Sequence, residues 1–426
     1  MTRADYFSSW TQRVAMTAIL ALTSSIAQAQ LPAGSDWRYT VRPQDTTSEI
    51  AQRFLQPSIG WTALAKHNAL RDPNMLIAGQ QLRIPIAWLA GRQASAILAS
   101  VTGDVKIKTT EGVWRQAQEG EPLSAGQQIQ VSTNSSAQLR FADDSELVVQ
   151  PSSSVLLDTL SSYAGGYMVD TQVRLQAGRV EVHANPQARQ GQRFDVATPA
   201  AVASVRGTEF LVEADTQRML AQTTSGRVAV ETAQGEVVVK PGFSSTAKQG
   251  EKPLAPEPIQ PSPTLKDPVQ SFTDFPIAFT LESRADFTLW VTQVGLDSQL
   301  TQVVLSTRSD QPRFDAGALA DGSYYLRAWT LDGLGVPSQT SVYPFQVSIP
   351  RTLQGPAMKL PLQYFAGGPV QLKLAPLAAN QRYLIQITRD EAGRNPVWYQ
   401  ADAGASPLLP VQPAQDQPYF LWIWTY

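Results

Sequence analysis

The sequence predicts a multidomain, mainly β protein with one small βααβ module near its N-terminus. Three observations support this fold class. A chain of 426 residues is long enough to hold several domains. Short runs that alternate apolar and polar residues, bounded by glycine, asparagine, aspartate or serine, dominate the chain after residue 94. Apolar residues at helical spacing occur within residues 46–68 and disappear after residue 94.

Composition and charge exclude several classes of function. The net charge of −2 offers no basic face for nucleic acid. The chain has no cysteine, which excludes disulfides, thiolate zinc sites and cysteine catalysis. His67 and His183 have no partner histidine at metal-ligand spacing. No G-x-S-x-G elbow is present, so we expect no catalytic residue, no metal site and no cofactor. Glycoside hydrolysis by distant carboxylates stays open.

The first 29 residues have the pattern of a secretory signal peptide. Arg3 and Arg13 precede an apolar run over residues 14–22, and Ala27-Gln28-Ala29 forms an A-x-A cleavage site. The run is well short of the roughly 20 residues that a membrane-spanning helix needs. Cleavage is therefore favoured over a membrane anchor. The sequence predicts an exported, periplasmic or cell-envelope protein with no transmembrane segment after signal cleavage.

Residues 36–86 are predicted to form a strand, two helices and a strand. Thr46 and Glu49 fit the S/T-x-x-E capping box at a helix start. Pro57 and Gly60 end that helix, and the return strand begins after Gly79. Two apolar stripes at helical spacing are expected to face the core, and they comprise Ile50, Ala51 and Phe54, then Trp61, Leu64 and Ala65.

This module resembles a LysM module. The LysM family binds N-acetylglucosamine-containing glycans, above all peptidoglycan, in a groove between the loop after the first strand and the loop before the last. The resemblance therefore implies peptidoglycan as a partner. The residues that carry it are Tyr39-Thr40-Val41, Pro43, Asp45-Thr46, Ile50-Ala51, Phe54, Trp61, Leu64, Asn68, Pro73, Leu76-Ile77, Gly79-Gln80 and Leu82-Arg83-Ile84-Pro85. The implied glycan-binding residues are Asp45, Thr46, Thr47, Leu76, Ile77, Ala78 and Gly79.

Two departures from the LysM pattern affect the predicted groove. Gln44 stands where the family usually has glycine, and Thr47-Ser48 stand where it usually has Leu-Trp. The second departure removes apolar groove wall, so weak affinity at a single site is expected. A LysM fold that acts only as a spacer is the alternative, because a fold does not guarantee its site.

Residues 94–248 are predicted to form an all-β domain. A G-x-V-x-V/I pattern recurs from Gly103, Gly178, Gly226 and Gly235, and in each copy the glycine is expected to end a turn. Residues 137–150 are predicted to form a hairpin that turns at Asp143-Asp144-Ser145. The side chains predicted to face inward from that hairpin are Leu139, Phe141, Leu147 and Val149.

This region resembles the periplasmic FecR domain. The family's best-known members relay a signal from an outer-membrane transporter to a cytoplasmic sigma factor, and they need a cytoplasmic segment and a spanning helix. The cleavable signal predicted here means that the fold carries over and the sigma-factor role does not. A protein partner in the envelope and a β scaffold without a ligand both stay open. The residues that carry the resemblance include Gly103-Asp104-Val105, Gly112-Val113-Trp114, Leu123, Gly126, Ile129, Gly178-Arg179-Val180, Phe194-Asp195-Val196, Thr198-Pro199 and Arg206-Gly207-Thr208 with Phe210.

The last part of the chain is predicted to hold a linker and two β-sandwiches. Residues 249–268 are rich in proline, which predicts a semi-rigid, exposed spacer. Residues 269–350 look like a fibronectin type III or immunoglobulin-like sandwich, with a turn at Asp321-Gly322. Residues 351–426 look like a second, weaker copy with Trp398 in its core. The alternating aromatics of residues 420–426 are interpreted as a closing sandwich strand.

Together these patterns predict a non-catalytic cell-envelope protein. It would bind peptidoglycan through the LysM-like module and present the FecR-like β body for docking or sensing. One alternative is a periplasmic signalling component that acts through the FecR-like domain on a membrane partner. Another is a wall hydrolase with an unrecognised site. The preferred glycan, the partner and the oligomeric state stay open.

Overall fold

A computed structural model describes most of the chain after residue 35. The described residues are 36–42, 44–73, 75–163, 168–185, 193–205, 207–268, 271–282, 287–353, 358–360, 370–378, 381–388, 396–403, 408–409 and 419–426. The predicted signal peptide of residues 1–29 lies outside these ranges, and so do Pro43 and Arg206. The fold is mainly β, as predicted. Among the described residues, no helix is long and apolar enough to cross a membrane.

The N-terminal module has the predicted βααβ order. Its elements are β1 (Asp36–Thr40), α1 (Thr47–Phe54), α2 (Trp61–His67) and β2 (Gln81–Pro85), followed by a 3₁₀ turn (Ile86–Trp88). β1 and β2 pair antiparallel. The predicted capping box is confirmed, because the Glu49 amide donates to Thr46 Oγ1 and the Thr46 amide donates to Glu49 Oε2. This cap fixes where α1 begins.

The core of the module lies between the two helices and the small sheet. Ile50, Phe54 and Leu64 are fully buried there, as the helical spacing predicts. Trp61 is 42% exposed, so its predicted place in the inward stripe is wrong. It is the first residue of α2, directly after the helix-breaking Gly60, and that position lies at the surface.

The packing of the module continues past its predicted end at residue 86. The Gln56 amide donates to the Trp88 carbonyl at 2.8 Å, and the Ala90 amide donates to the Phe54 carbonyl at 2.8 Å. Leu89 is buried in the same core. Residues 87–90 therefore satisfy backbone groups at the C-terminal end of α1 and help to complete the module.

The middle of the chain forms a closed barrel. Most of its strand pairs are antiparallel, and β12 and β13 pair in parallel. A single continuous cluster of buried, mainly aliphatic side chains fills it. The strands are β3 (Gly91–Gln93), β4 (Ala96–Thr102), β5 (Val105–Lys108), β6 (Trp114–Gln116), β7 (Pro122–Leu123), β8 (Gln128–Val131), β9 (Ser136–Arg140), β10 (Glu146–Val149), β11 (Ser153–Tyr163), β12 (Met168–His183), β13 (Arg193–Ala197), β14 (Val202–Val205), β15 (Glu209–Ala214), β16 (Arg218–Ser225), β17 (Val228–Thr232), β18 (Gly235–Val239), β19 (Phe243–Lys248) and β20 (Glu257–Pro258).

The predicted hairpin of residues 137–150 is present as β9 and β10. Leu139 and Leu147 face each other across the pair, and both are fully buried. Phe141 is buried as well and packs edge-on against Phe194 at 5.2 Å between ring centroids. The alternation of apolar and polar residues thus predicts correctly which side chains face the core.

One predicted turn glycine lies inside a strand instead. Gly178 falls within the long strand β12, which pairs with β11 and β13 before this residue and with β10 and β15 from it onward. Its φ is +99°, and an added Cβ would lie 2.3 Å from Ser153 Oγ. Glycine is needed here because the strand passes close against Ser153 where it changes partners.

The proline-rich segment 249–268 is packed against both neighbours. Its strand β20 pairs with β19 of the barrel. Further along, the Gln339 amide donates to the Gln260 carbonyl, and the Lys266 amide donates to the Thr280 carbonyl. The expectation of an exposed spacer with few contacts is therefore wrong. Proline removes a donor, yet the carbonyls and the remaining amides of the segment still form these bonds.

Residues 271–347 form two facing sheets, which we call the first sandwich. The larger sheet has the order β21-β27-β26-β23-β24, and β22 pairs with β25. Aromatic rings fill the space between them, including Phe272, Phe279 and Phe345. The strands are β21 (Ser271–Phe272), β22 (Ala278–Thr280), β23 (Phe287–Gly295), β24 (Val303–Ser309), β25 (Arg313–Asp315), β26 (Gly322–Asp332) and β27 (Ser341–Val347).

The described part of the C-terminal region contains a further sheet with the order β28-β34-β31-β32, and β29 also pairs with β34. Leu384 joins the core of the first sandwich, so this sheet packs against it. Trp398, the predicted core aromatic, is partly buried against Ile385 and Ile387. A separate pair is formed by β30 and β33. The strands of this region are β28 (Thr352–Leu353), β29 (Met358–Leu360), β30 (Val370–Gln371), β31 (Tyr383–Thr388), β32 (Pro396–Ala403), β33 (Leu408–Leu409) and β34 (Tyr419–Thr425).

The barrel and the first sandwich meet through a buried polar interface. Ser136 Oγ donates to the Thr301 carbonyl at 2.8 Å and accepts from the Val303 amide at 2.9 Å. Elsewhere in the interface, Gln222 Nε2 donates to the Pro337 carbonyl at 2.6 Å. These contacts join residues that are far apart in the sequence, and they create the cleft described below.

Candidate functional site

Two loops of the N-terminal module form the candidate site. The first loop (residues 41–46) follows β1, and the second loop (residues 73–80) precedes β2. The Val41 amide donates to the Gln80 carbonyl at 2.8 Å, and the Gly79 amide donates to the Val41 carbonyl at 2.8 Å. Thr47 Oγ1 donates to the Pro73 carbonyl at 2.5 Å. The two predicted sides of the groove are therefore held next to each other.

Gly79 shapes the second loop through its backbone conformation. The Gln80 amide donates to the Ile77 carbonyl, which closes a β-turn with Gly79 in its third position. Gly79 has a φ of +87°, as a type II turn requires at this position. No heavy atom lies within 4 Å of an added Cβ. Glycine is thus favoured here by its φ and not by lack of space.

The side chain of Asp45 holds the first loop together. Its Oδ2 accepts from Tyr39 OH at 2.5 Å and from the Arg42 amide at 2.7 Å, and Arg53 lies 3.7 Å from Oδ1. Burial alone would raise the pKa of Asp45, but these hydrogen bonds and the nearby Arg53 bring it below its usual range. Burial, followed by the bond to Asp45, raises the pKa of Tyr39 to about 12.

Thr46 and Thr47 also make internal contacts. Thr46 is the N-cap of α1. Thr47 is buried, and its hydroxyl bonds to the second loop. The structure therefore gives Asp45, Thr46 and Thr47 the task of positioning the loops, and their side-chain oxygens are already engaged.

The second loop presents apolar side chains to solvent. Ile77 is 74% exposed and Met75 is 75% exposed. Leu76 is half-buried and packs against the module core. Met75 is absent from the residues predicted to bind glycan, although its position directly before Leu76-Ile77 in the sequence indicates that it belongs to the same apolar run. Exposed apolar side chains of this size in a short loop suit the face of a sugar ring.

The second loop also leaves two backbone amides without a partner. Among the described residues, the amides of Leu76 and Ala78 donate to no other group. The amides of Ile77 and Gly79 are used internally, by Gln80 Oε1 and by the Val41 carbonyl. Within the described residues, two unpartnered donors thus lie in the second loop, on either side of Ile77.

The departure from the LysM pattern at Gln44 has a cost in backbone strain. Its φ is +72°, in the left-handed region that a side chain makes unfavourable by roughly 1–2 kcal/mol. Glycine avoids this strain but loses more backbone freedom on folding.

We therefore expect Gln44→Gly to stabilise the module by about 0.5–1 kcal/mol. Slower amide hydrogen exchange across α1 in the full chain would report the gain. Gln52→Gly is the matched control, because Gln52 is an exposed residue inside α1. That change should destabilise the helix by about 1 kcal/mol. Faster exchange in both variants would contradict the assignment of strain to Gln44.

Histidine contributes a structural contact at the other end of the module. His67 Nε2 lies 3.2 Å from both carboxylate oxygens of Asp36, and its ring packs against Trp88. Across the described ranges, no group of three or more histidine, aspartate or glutamate side chains could hold a metal ion.

Comparison with protein families agrees with this geometry. Residues 39–85 match the family described as LysM domain, and residues 127–237 match the family described as FecR protein. The chain carries a LysM domain and a FecR-type region. The LysM match spans both loops of the candidate site. The FecR match begins at residue 127, so Gly103-Asp104-Val105 and Leu123 lie before it.

Two of the solved structures that match are distant likenesses. An anti-sigma factor candidate from Parabacteroides distasonis is 16% identical, with a TM-score of 0.26 over 31% of this chain and 59% of that one. The extracellular domain of a one-component system candidate from B. thetaiotaomicron is 8% identical, with a TM-score of 0.15 over 50% of this chain and 42% of that one. Likenesses this weak establish no shared fold. Comparison with curated proteins finds no match.

Proposed function

We propose that this chain is an exported, non-catalytic protein of the cell envelope that binds peptidoglycan through its LysM domain. The observation that supports the proposal most is the second loop, where exposed Ile77 lies beside the amides of Leu76 and Ala78, which have no partner among the described residues. An N-acetylglucosamine unit offers a matching pair of features. Its acetamide carbonyl accepts hydrogen bonds, and its ring has an apolar face.

The proposal assigns different tasks to the predicted glycan-binding residues. Leu76, Ile77, Ala78 and Gly79 would form the surface that contacts the glycan. Asp45, Thr46 and Thr47 would hold that surface in place through the contacts described above. Because one shallow loop provides most of the contact, single-site affinity should be weak, and repetition of the polymer should raise the apparent affinity.

Cosedimentation with purified sacculi tests the proposal. A fragment of residues 36–90 should sediment with the sacculi, and a fragment of residues 94–426 should stay in the supernatant. The shorter fragment ends at residue 90 because Trp88 and Ala90 bond to the end of α1. If residues 94–426 sediment as well as the full chain does, binding lies outside the LysM domain and the proposal fails.

For the FecR-type region we propose a role in docking or sensing, supported by the match over residues 127–237. The second candidate, a periplasmic signalling component that acts on a membrane partner, rests on the same match. The sacculus experiment separates the two in part. Anchoring needs only residues 36–90. A signalling role of the FecR-type region would persist in a chain whose LysM loops no longer bind sacculi.

A further inference from the structure

A cleft of about 570 Å³ lies between the barrel and the first sandwich. This volume is in the range of about 300–1,000 Å³ that is usual for small-molecule sites. The barrel contributes Gln150, Arg179 and Glu213 to its lining, and the sandwich contributes Arg308 and Trp329. The cleft is distant in sequence from the LysM loops and plays no part in the glycan binding proposed above.

The lining of this cleft contains buried donors without partners. Within the described residues, Gln150 Nε2, Arg179 Nε and Nη1, and Trp329 Nε1 are closed to solvent and form no hydrogen bond. All of these atoms are donors, and no lining residue contributes an unpartnered buried acceptor. A buried donor left without a partner costs about 1–3 kcal/mol. These four donors therefore have no bonded acceptor among the described residues, and a bound ligand could supply one.

Arg179 is the most unusual of these residues. It is 6% exposed, and its guanidinium lies 4.4 Å from the centroid of the Trp329 ring. The nearest carboxylate oxygens belong to Glu181 at 3.6 Å and Glu213 at 3.9 Å, too far for hydrogen bonds. Burial lowers its pKa to about 10, so it stays charged at neutral pH. A buried cation thus lies at the cleft, flanked by two carboxylates but hydrogen-bonded to neither.

The rim of the cleft adds positive charge from two further arginines. Arg308 has a side chain that is 63% exposed, and its ion pair with Glu213 has a length of 4.0 Å. Arg218 donates to the Leu334 carbonyl and lies near Asp215. The charged lining residues are therefore three arginines and two carboxylates, an excess of one positive charge.

We propose that this cleft binds a small organic oxyanion, with a carboxylate or phosphate group held by Gln150, Arg179 and Arg308. An oxyanion presents only acceptors, which matches the excess of donors, and its charge matches the excess of arginine. Exposed Arg308 would swing to close over the ligand, and the anionic group would reach the buried donors as the lining adjusts around it.

Titration calorimetry on the full chain tests this assignment with named probes. Succinate represents the carboxylate source, inorganic phosphate represents the phosphate source, and succinamide is the neutral analogue of succinate. At least one of the two oxyanions should bind with one-to-one stoichiometry. The probe that binds shows whether the ligand carries a carboxylate or a phosphate group. Succinamide should bind at least about tenfold more weakly, because it lacks the charge that the arginines require.

Variants locate the site within the cleft. Arg308→Gln removes an exposed charge together with its 4.0 Å ion pair to Glu213, and it should weaken oxyanion binding about tenfold. Gln150→Leu removes a buried donor and should weaken it as well. Arg313→Gln is the matched control, because it makes the same change at an exposed arginine of the same sandwich outside the cleft, and it should leave binding unchanged.

Three outcomes would overturn the assignment. The first is that neither oxyanion binds with a Kd below about 10 mM. The second is that succinamide binds as tightly as succinate. The third is that the Arg308→Gln and Gln150→Leu variants bind the oxyanion as tightly as the Arg313→Gln control does.

Discussion

Replacing Arg327 by alanine should destabilise the contact between the barrel and the first sandwich by about 3–5 kcal/mol. Arg327 is 5% exposed, and its Nη1 donates to Glu181 Oε2 at 2.9 Å across the interface. Its Nε and Nη2 donate to Gln293 Oε1 at 3.1 and 2.6 Å. The substitution would leave the Glu181 carboxylate buried next to Arg179 alone.

The expected effect follows from how Glu181 is kept ionised. Burial raises the pKa of Glu181, but Arg327 and then Arg179 lower it below its usual range. Without Arg327, the remaining cation lies 3.6 Å away and forms no hydrogen bond to the carboxylate. The desolvation penalty of the carboxylate would then be poorly offset.

Denaturant unfolding of the full chain, followed by tryptophan fluorescence, would measure the loss, since Trp329 lies in this interface. The exposed Arg313→Gln variant controls for the change of charge and should stay within about 0.5 kcal/mol of the natural chain. Adding Glu181→Gln to Arg327→Ala should recover part of the stability, because the stranded charge is removed. Equal stability of Arg327→Ala and the control would refute a stabilising role for this pair.

Local signals in the sequence predict the local parts of this fold well. The capping box of Thr46 and Glu49 fixes the start of α1, and alternation in residues 137–150 identifies the buried face of the hairpin. Both depend on residues that are close together in the chain. The covalent geometry of helix and strand determines which of them share a face, so a single sequence is sufficient.

Long-range contacts explain what the sequence alone does not predict. The contact of Arg179 with Trp329 joins residues 150 positions apart (329 − 179), and no local pattern indicates it. Gly178 looks like a turn glycine, yet its need for a missing Cβ comes from Ser153 on another strand. The proline-rich segment has the composition of a spacer, but the surfaces on either side of it provide backbone partners.

The same contrast between local signals and long-range contacts applies to the candidate site. The LysM resemblance predicts where both loops lie in the chain, because the turn residues and the caps are local features, and their contact with a glycan stays a prediction. The resemblance does not show that the Thr47 hydroxyl donates to the Pro73 carbonyl, or that the Tyr39 hydroxyl donates to Asp45, since these are tertiary contacts. The four predicted residues of the second loop, from Leu76 to Gly79, are therefore the ones to test for contact with the glycan.

Replacing Ile77 by aspartate should lower the affinity of the full chain for sacculi by about tenfold or more. Full burial of an isoleucine side chain is worth about 1.5–3 kcal/mol, and about 1.4 kcal/mol is a factor of ten. Because Ile77 is 74% exposed in the free protein, the change should leave the fold intact. Gly79→Val should also weaken binding, with some loss of stability, because valine is strained at a φ of +87°.

Two further variants separate apolar contact from charge in the Ile77 experiment. Ile77→Asn adds no charge and should still lose most of the binding if the side chain packs on the sugar face. Ala87→Asp adds the same charge at an exposed residue beyond the opposite end of β2, and it should bind normally. Moderate salt should change none of these affinities much, since contact and hydrogen bonds dominate over ion pairs. If Ile77→Asn binds sacculi like the natural chain, the second loop does not contact the glycan.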